Sequence, residues 1–263
     1  MKTLITSSTG KTGRRILDRL AAQGVDVRGV SRSTGFDWES PSTWASALEG
    51  IEVAYIAYYP DLAVDGAADT VHAFARQAAA AGVRRLVLLS GRGEPEAQRA
   101  EELVASVGTE WTVVRCSWFA QNFSESMFLD GILAGRVELP ADAIPEPFVD
   151  VEDIVEVATL ALTQDGHHGE IYELTGPRAL TMEQAVAEIA RAAGKPISYA
   201  RVSPEQYRES APPEYADIVL FLMTELLDGR NAEPQDGVQR ALGRPPRDFA
   251  EYAERTAATG VWG

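Results

Sequence analysis

The sequence predicts an α/β fold: a doubly wound parallel sheet covered by helices on both faces, with a smaller, mostly helical C-terminal region. Three observations predict it. Over residues 1–115 short apolar runs alternate with longer segments of helical periodicity, joined by short connections, and such alternation is what parallel strands linked by crossover helices require. The first apolar run passes directly into a glycine-containing turn that opens a helix. With 263 residues, 45% apolar and 24% charged, the chain has room for one sizeable core.

Taken in order, residues 3–6 read as a short strand, and residues 13–23 as a helix with Ile16, Leu17, Leu20 and Ala21 at helical spacing, ended by Gly24. Residues 25–30 are a second strand, 42–48 a helix and 52–57 a buried strand. An alanine-rich helix over 67–81 stops at Gly82; 85–89 is a strand, 96–107 a helix and 111–115 a strand. Beyond this the pattern loosens. Residues 151–162 form a helix, 170–175 a strand and 181–193 a helix stopped by Gly194-Lys195-Pro196; 197–202 is a strand, and 204–211, 213–228 and 246–258 are helical. The proline-rich stretches 140–147, 211–213 and 245–246 punctuate loops and do not separate domains. Residues 1–115 are thus the doubly wound core. Residues 116–263 are a substrate-side region interleaved with the last sheet elements, within a single compact unit.

Charge narrows the function classes. Twenty-four basic against 39 acidic residues leave a net charge of −15, which disfavours nucleic acid and anionic membrane surfaces, both of which need clustered cations. No run of about 18 apolar residues spans a bilayer, and the start MKTLITSSTG turns polar too early for a signal peptide. The lone Cys116 suits a reducing compartment. His72, His167 and His168 have no metal-ligand spacing. The expectation is a cytoplasmic protein without a metal, monomeric or homodimeric, acting on a small molecule.

In α/β sheets ligands bind outside the carboxyl ends of the strands, so the residues after each strand carry the functional argument. The first strand runs into Ser7-Ser8-Thr9-Gly10-Lys11-Thr12-Gly13, where a helix N-terminus offers free N–H groups and a positive dipole to phosphate. Gly10-Lys11-Thr12 resembles the end of a nucleotide-triphosphatase loop, but that motif needs glycine five positions earlier, and Ile5 stands there. The dinucleotide reading needs small residues at spacing three, which Ser7, Gly10 and Gly13 supply. The second strand ends in Val30-Ser31-Arg32-Ser33, with no acid before Asp37. An acid there would take a ribose 2′-hydroxyl, whereas Arg32 suits a 2′-phosphate. NADP(H) is therefore expected over NAD(H).

The chain has three lysines, Lys2, Lys11 and Lys195. The standard short-chain dehydrogenase uses a Tyr-x-x-x-Lys pair, but Ser7 precedes Lys11 by four and Arg191 precedes Lys195 by four. Without that proton donor the expected acceptor is one that takes hydride unaided: an imine or iminium first, a quinone or enone second.

On the substrate side, Ser90 follows the fourth strand and either lies near the transferred hydride or caps a loop. Trp118, Phe119, Asn122 and Phe123 follow the fifth strand and either wall a flat apolar substrate or form aromatic core. Of Tyr58 and Tyr59, one faces the pocket and the other the core. Arg92 pairs with cofactor or carboxylate, or, as the favoured reading, lies at the surface. Cys116 reads as a small buried residue in preference to a reactive thiol. The acidic trio Asp150, Glu152 and Asp153 reads as capping of the helix that follows. No catalytic residue is assigned.

The stretches SSTGKTGRRI, FDWESPSTWASALEG, GVRRLVLLSGRG, EWTVVRCSWFAQNF, PFVDVEDI, YELTGPRALT and LGRPPRDFAEYAE together resemble the NmrA-like branch of atypical short-chain reductases over nearly the whole chain. Within it they are similar to bacterial relatives of ergot-alkaloid reductases of the agroclavine dehydrogenase type. The resemblance implies an NADP(H)-binding Rossmann fold with a smaller C-terminal substrate region. It also implies that Asp37 and Trp38 lie near the adenine, and that Tyr58, Ser90 and the turn from Cys116 to Phe119 border the nicotinamide. Ser7 replaces the family's usual first glycine, and Cys116 stands where proline is common. The branch also contains dinucleotide-binding redox sensors without turnover, and an isomerase or cyclase that keeps its cofactor is a third possibility on the same fold.

Overall fold

A computed structural model describes residues 1–211 and 213–263, without the side chains of residues 213–215 and 218. Pro212, in the expected 211–213 punctuation, lies outside the described residues, as do the side chains named within the helical stretch 213–228. Six strands form one sheet: β1 (Lys2–Ile5), β2 (Asp26–Gly29), β3 (Val53–Ile56), β4 (Arg85–Gly91), β5 (Glu110–Cys116) and β7 (Glu170–Leu174). Their order is β2-β1-β3-β4-β5-β7 and every pairing is parallel. The register sets Thr3 beside both Val27 and Val53, and Ser90 and Gly91 beside Arg115 and Cys116. Near-continuous apolar runs such as Val53–Ile56 are buried throughout, as strands covered on both faces must be.

The sheet winds outward from β1 in both directions, so the order reverses between β1 and β3, the point where doubly wound folds open a crevice. Thr6 and Ser7 clip that point shut at the backbone: Ala57 N–H donates to Thr6 Oγ1 at 2.8 Å and Ser7 Oγ donates to Ala57 O at 2.8 Å. The crossover helices are α1 (Lys11–Ala22), α2 (Trp44–Leu48), α3 (Ala67–Ala80) and α4 (Pro95–Ala105). α1 buries Thr12, Gly13, Ile16 and Leu20, the i, i+4 stripe that the sequence shows. Phe36, Trp38, Trp44 and Phe74 meet in edge-to-face pairs 5.1 to 6.3 Å apart, a geometry that contributes about 0.5–1.5 kcal/mol per pair beyond burial.

The chain divides into two compact units. The first comprises Met1–Cys116, Glu152–Leu174 and Gly237–Gly243; the second comprises Ser117–Val151, Thr175–Asp236 and Arg244–Gly263. Into the first fall most of α7 (Val151–Thr163) and the short α11 (Gly237–Leu242), whose first residue lies against β7: a Cβ on Gly237 would sit 2.2 Å from Glu173 O. The second unit contains α5 (Asn122–Glu125), α6 (Leu129–Leu133), α8 (Met182–Ala193), α9 (Pro204–Ser210), α10 (Pro213–Phe221) and α12 (Phe249–Ala258). A two-stranded parallel sheet of β6 (Arg136–Leu139) and β8 (Ser198–Arg201) accompanies them. α8 is bounded as its sequence dictates, with a Thr181/Gln184 capping box and Gly194 left-handed at φ 64°.

The expected elements stand with shifted ends, and α5, α6, α11 and β6 are additions. β4 runs on to Gly91 and β5 to Cys116, which draws Ser90 and Cys116 into the strands and away from the turns expected after them. The expected helix 213–228 is α10 followed by a π-helical turn at Leu222–Leu226.

Candidate functional site

The turn between β1 and α1 has the geometry its spacing implies. Ser7 takes a left-handed φ of 47°, alone among the described non-glycine residues, in the position where the dinucleotide fingerprint places its first glycine. Gly10 is the N-cap of α1 and Lys11 its first residue. A Cβ on Gly13 would lie 2.3 Å from Ser7 O, and one on Gly10 3.2 Å from the same oxygen. The turn therefore closes onto the helix only with glycine at 13. Ser8 packs on β2, where a Cβ on Gly29 would lie 2.9 Å from Ser8 Cβ, and the buried Tyr55 hydroxyl donates to Thr12 Oγ1 at 3.0 Å. Burial raises the Tyr55 pKa further above the ordinary phenol range, so it stays a neutral strut. No acid occupies the first turn of α1, so the helix's own residues do not offset its positive end. Thr9 and Gly10 are exposed, and the first helical N–H groups have no partner within the helix. A turn of this kind has the donor geometry that anionic groups use.

Arg32 opens a short 3₁₀ turn after β2 and is exposed. Its guanidinium carbon lies 4.2 Å from the centre of the Tyr59 ring, a cation–π contact that restrains the side chain at the carboxyl edge. Asp37 is spent locally: its carboxylate accepts from Glu39 N–H at 3.0 Å and from Ser40 Oγ at 3.3 Å, and its carbonyl accepts from Trp44 Nε1 at 2.9 Å. Trp38 is buried in the aromatic cluster, with the half-buried Tyr58 ring 5.2 Å away. Tyr58 thus packs inward and Tyr59, 50% exposed, faces out beneath Arg32.

The ends of β4 and β5 carry a second constellation. Ser90 Oγ donates to Glu101 Oε1 at 2.5 Å. Glu101 also takes two bonds from Arg115, whose Nη1 reaches Glu173 Oε1 at 2.6 Å. Those bonds, Glu101's first, raise the Arg115 pKa and keep it charged. Arg92 is 7% exposed and pairs with Glu173 at 3.3 Å, so it is a buried ion-pair member where a surface side chain was expected. Cys116 is buried, and burial, with Glu94's charge second, pushes its thiol well above the ordinary range. This is the setting of a small buried residue, in which a thiol stays protonated.

The sequence did not single out Glu94 and Asp61. Glu94 occupies the N-cap position of α4, yet makes no capping bond; its carboxyl folds back so that a Cβ on Gly91 would meet its oxygens at 2.1 and 2.5 Å. Burial, then the charges of Asp61 and Glu101, push its pKa up to about 8. Burial also raises Asp61. A glutamate immediately before the helix-opening Pro95 was the available signal, because N-caps favour Ser, Thr, Asp or Asn.

In the second unit Trp118 is 8% exposed and stacks on Phe128 with centroids 6.3 Å apart. Phe123 is fully buried among Phe128, Phe148 and Phe249, which is core. Phe119 and Asn122 are half-buried, Phe119 bridging to Val149. Two of the acidic trio form side-chain pairs. Asp150 accepts from Gln121 Nε2 at 2.7 Å and pairs with Arg255, while Glu152 pairs with Arg15 at 2.9 Å. Among the described residues no group of three or more His, Cys, Asp or Glu is placed to hold a metal ion, and no helix is long and apolar enough to cross a membrane.

No protein-family model matches the chain. Among curated proteins it is 31% identical to an uncharacterised oxidoreductase of Bacillus subtilis, covering 98% of this chain and 97% of that one. It is 32% identical to a (4-alkanoyl-5-oxo-2,5-dihydrofuran-3-yl)methyl phosphate reductase of Streptomyces griseus, covering 97% and 99%. Agroclavine dehydrogenase of Claviceps fusiformis is 27% identical, covering 96% of each. Among solved structures, an NADPH-dependent quinone oxidoreductase from Escherichia coli shares the fold with a TM-score of 0.77 at 22% identity, covering 97% and 99%. An NmrA mutant does so with a TM-score of 0.71 at 19% identity, covering 98% and 96%. With a Rossmann-type sheet and relatives of 31% and 32% identity matched over nearly their whole length, the chain belongs to the NmrA-like family of atypical short-chain dehydrogenases/reductases and is an oxidoreductase.

Proposed function

We propose that the protein is an NADP(H)-dependent reductase that passes hydride to a small electrophilic acceptor: an imine or iminium, a quinone, or an enone. The observation that carries the NADP(H) preference is Arg32, exposed after β2 and seated on Tyr59, while the next acid along the chain, Asp37, has its carboxylate already bonded within its own turn. A 2′-phosphate matches a planar guanidinium and finds no competing acid there. The cradle of Ser7 to Gly13 fits the pyrophosphate, since Gly13 lets the turn close and the α1 N-terminus presents its N–H groups. Tyr58, Ser90 and Cys116 are our assignments for the nicotinamide side. Arg92, Trp118, Phe119 and Asn122 are our assignments for the substrate side.

Bound there, the dinucleotide supplies a hydride. The chain's own contribution is to orient cofactor and acceptor and to exclude water, which accounts for catalysis through proximity. The acceptor class has support from relatives whose names specify a dihydrofuranone phosphate reductase and agroclavine dehydrogenase. A single cysteine cannot form an internal disulfide, which suits a reducing compartment, and we place the protein in the cytoplasm; a monomer or homodimer is likewise our reading.

The test follows NADPH absorbance with cyclic imines, preformed iminium salts, quinones and enones, and compares NADPH with NADH by titration. Sustained NADPH loss with one of these classes is expected. Tight binding without turnover on every acceptor would make the protein a sensor, and product formation without NADPH loss an isomerase or cyclase. Equal affinity for NADH and NADPH would overturn the NADP(H) assignment.

A further inference from the structure

Resting on the reductase reading, we propose that Glu94 is the proton donor of this enzyme, taking the place of the absent Tyr-x-x-x-Lys pair for acceptors whose oxygen becomes anionic. Three observations converge on it. Its carboxyl is seated on Gly91, at the carboxyl end of β4 and beside the end of β5, the edge at which doubly wound sheets bind ligands. It forgoes the capping bond that its backbone position offers. The neighbouring carboxyls, by contrast, are committed: Glu101 to Arg115 and Ser90, Glu173 to Arg115 and Arg92, and Asp61 to Ala63 N–H at 2.9 Å.

The groups facing Glu94 are Asp61 from the segment after β3, Glu101 from α4 and the Cys116 thiol from β5. Arg115 bonds to Glu101 and Glu173, and Arg92 to Glu173. Glu94 is therefore surrounded by acids and neutral groups and holds its proton at neutral pH. In the step, the acceptor takes up hydride at carbon and the electron pair of its double bond moves to oxygen. The O–H bond of Glu94 breaks, the proton forms an O–H bond on that oxygen, and water reprotonates the carboxylate. A permanently charged iminium needs no such proton.

The experiment compares wild type with Glu94→Gln on two acceptors, an enone and a preformed N-methyl iminium salt, together with NADPH titration and infrared spectroscopy of the protein without dinucleotide. Glu94→Gln should bind NADPH with unchanged affinity. Its turnover of the enone should fall roughly a hundredfold, the lower range of general-acid catalysis, and at least tenfold more than its turnover of the iminium. The wild-type enone rate should decline above about pH 8, a decline missing in the variant. The infrared difference between the two should show a protonated carboxyl at pH 7 that ionises near that value. Equal losses on both acceptors, no loss on either, or a carboxylate already ionised at pH 7 would overturn the assignment. Should the wild type turn over neither acceptor, the reductase reading itself fails, a result separate from the infrared one.

Discussion

At Ser7 two opposing effects are of similar size. A left-handed φ in a non-glycine residue costs about 1 kcal/mol, and the Oγ bond to Ala57 O returns about 1 kcal/mol. Ser7→Gly removes both and should change stability by less than about 1 kcal/mol. Ser7→Ala keeps the strain and loses the bond, so it should be the more destabilising, by about 1–2 kcal/mol in urea unfolding. Gly13→Ala is the sharper case, because its Cβ would press on backbone, 2.3 Å from Ser7 O. It should cost roughly 3 kcal/mol and weaken dinucleotide binding along with the fold. Arg32→Ala touches no core, so its effect belongs to the ligand. Losing a charge-assisted contact of about 1.5–3 kcal/mol should weaken NADPH ten- to hundredfold and leave NADH nearly unaffected, as read by titration with each. The 7-10-13 spacing and Arg32 were legible in the sequence because turn chemistry is local. Glu94 was not, because its placement depends on a side chain folding back onto Gly91 from outside the helix it should cap.

Among the elements, β4, β5 and β7 are held at their carboxyl ends by the ion pairs of Arg115 as well as by ladder bonds. Glu101 is 4% exposed and takes Arg115 and Ser90 together. Removing the cation strands a buried carboxylate, which typically costs about 3–5 kcal/mol, whereas replacing the pair by apolar groups is often neutral. Arg115→Met should therefore lower the thermal midpoint sharply, and adding Glu101→Leu should recover a substantial part of the loss. Equal midpoints for the single and double variants would show that the pair is not coupled. Such networks are invisible to periodicity, which read Arg115 only as the end of a strand. The same limit hid β6. Arg136–Leu139 offers a single alternation, exposed-buried-exposed-buried, and finds its partner β8 some sixty residues on. The crossover units were legible although β1, β2 and β3 are as short as β6, because their apolar runs alternate regularly with helices, and a parallel sheet with helical connections is the arrangement that buries them all. α7 was placed almost to the residue, yet Arg15 opposite Glu152 could be found only in three dimensions.

For the whole molecule, the excess of 39 acidic over 24 basic residues makes stability depend on pH. Two groups of carboxyls pull in opposite directions. Asp228, held down to about 2 by Arg230, and Asp248, lowered by Arg178, bind fewer protons folded than unfolded. Their contribution is present above the ordinary aspartate value of 3.8 and is lost as pH falls toward 2. Glu94 does the reverse. Its value rises from 4.5 in the unfolded chain to about 8 in the fold, so its contribution is full below 4.5 and disappears as pH climbs through 8. Repulsion among the net −15 charges weakens the fold over the same alkaline range. The thermal midpoint should therefore peak between about pH 4.5 and 6 and fall on the way to pH 9. The two causes of the fall separate cleanly. Raising salt from about 0.05 to about 0.5 M shortens the Debye length to a few ångströms and should lift the midpoint at pH 8 by screening surface repulsion. It should leave the burial of Glu94 untouched. Glu94→Gln should instead flatten the part of the decline that salt does not reach, because an amide has no proton to lose. If the salt-treated wild type and the salt-treated variant fall in parallel from pH 6 to pH 9, then Glu94 is not the buried acid of this fold.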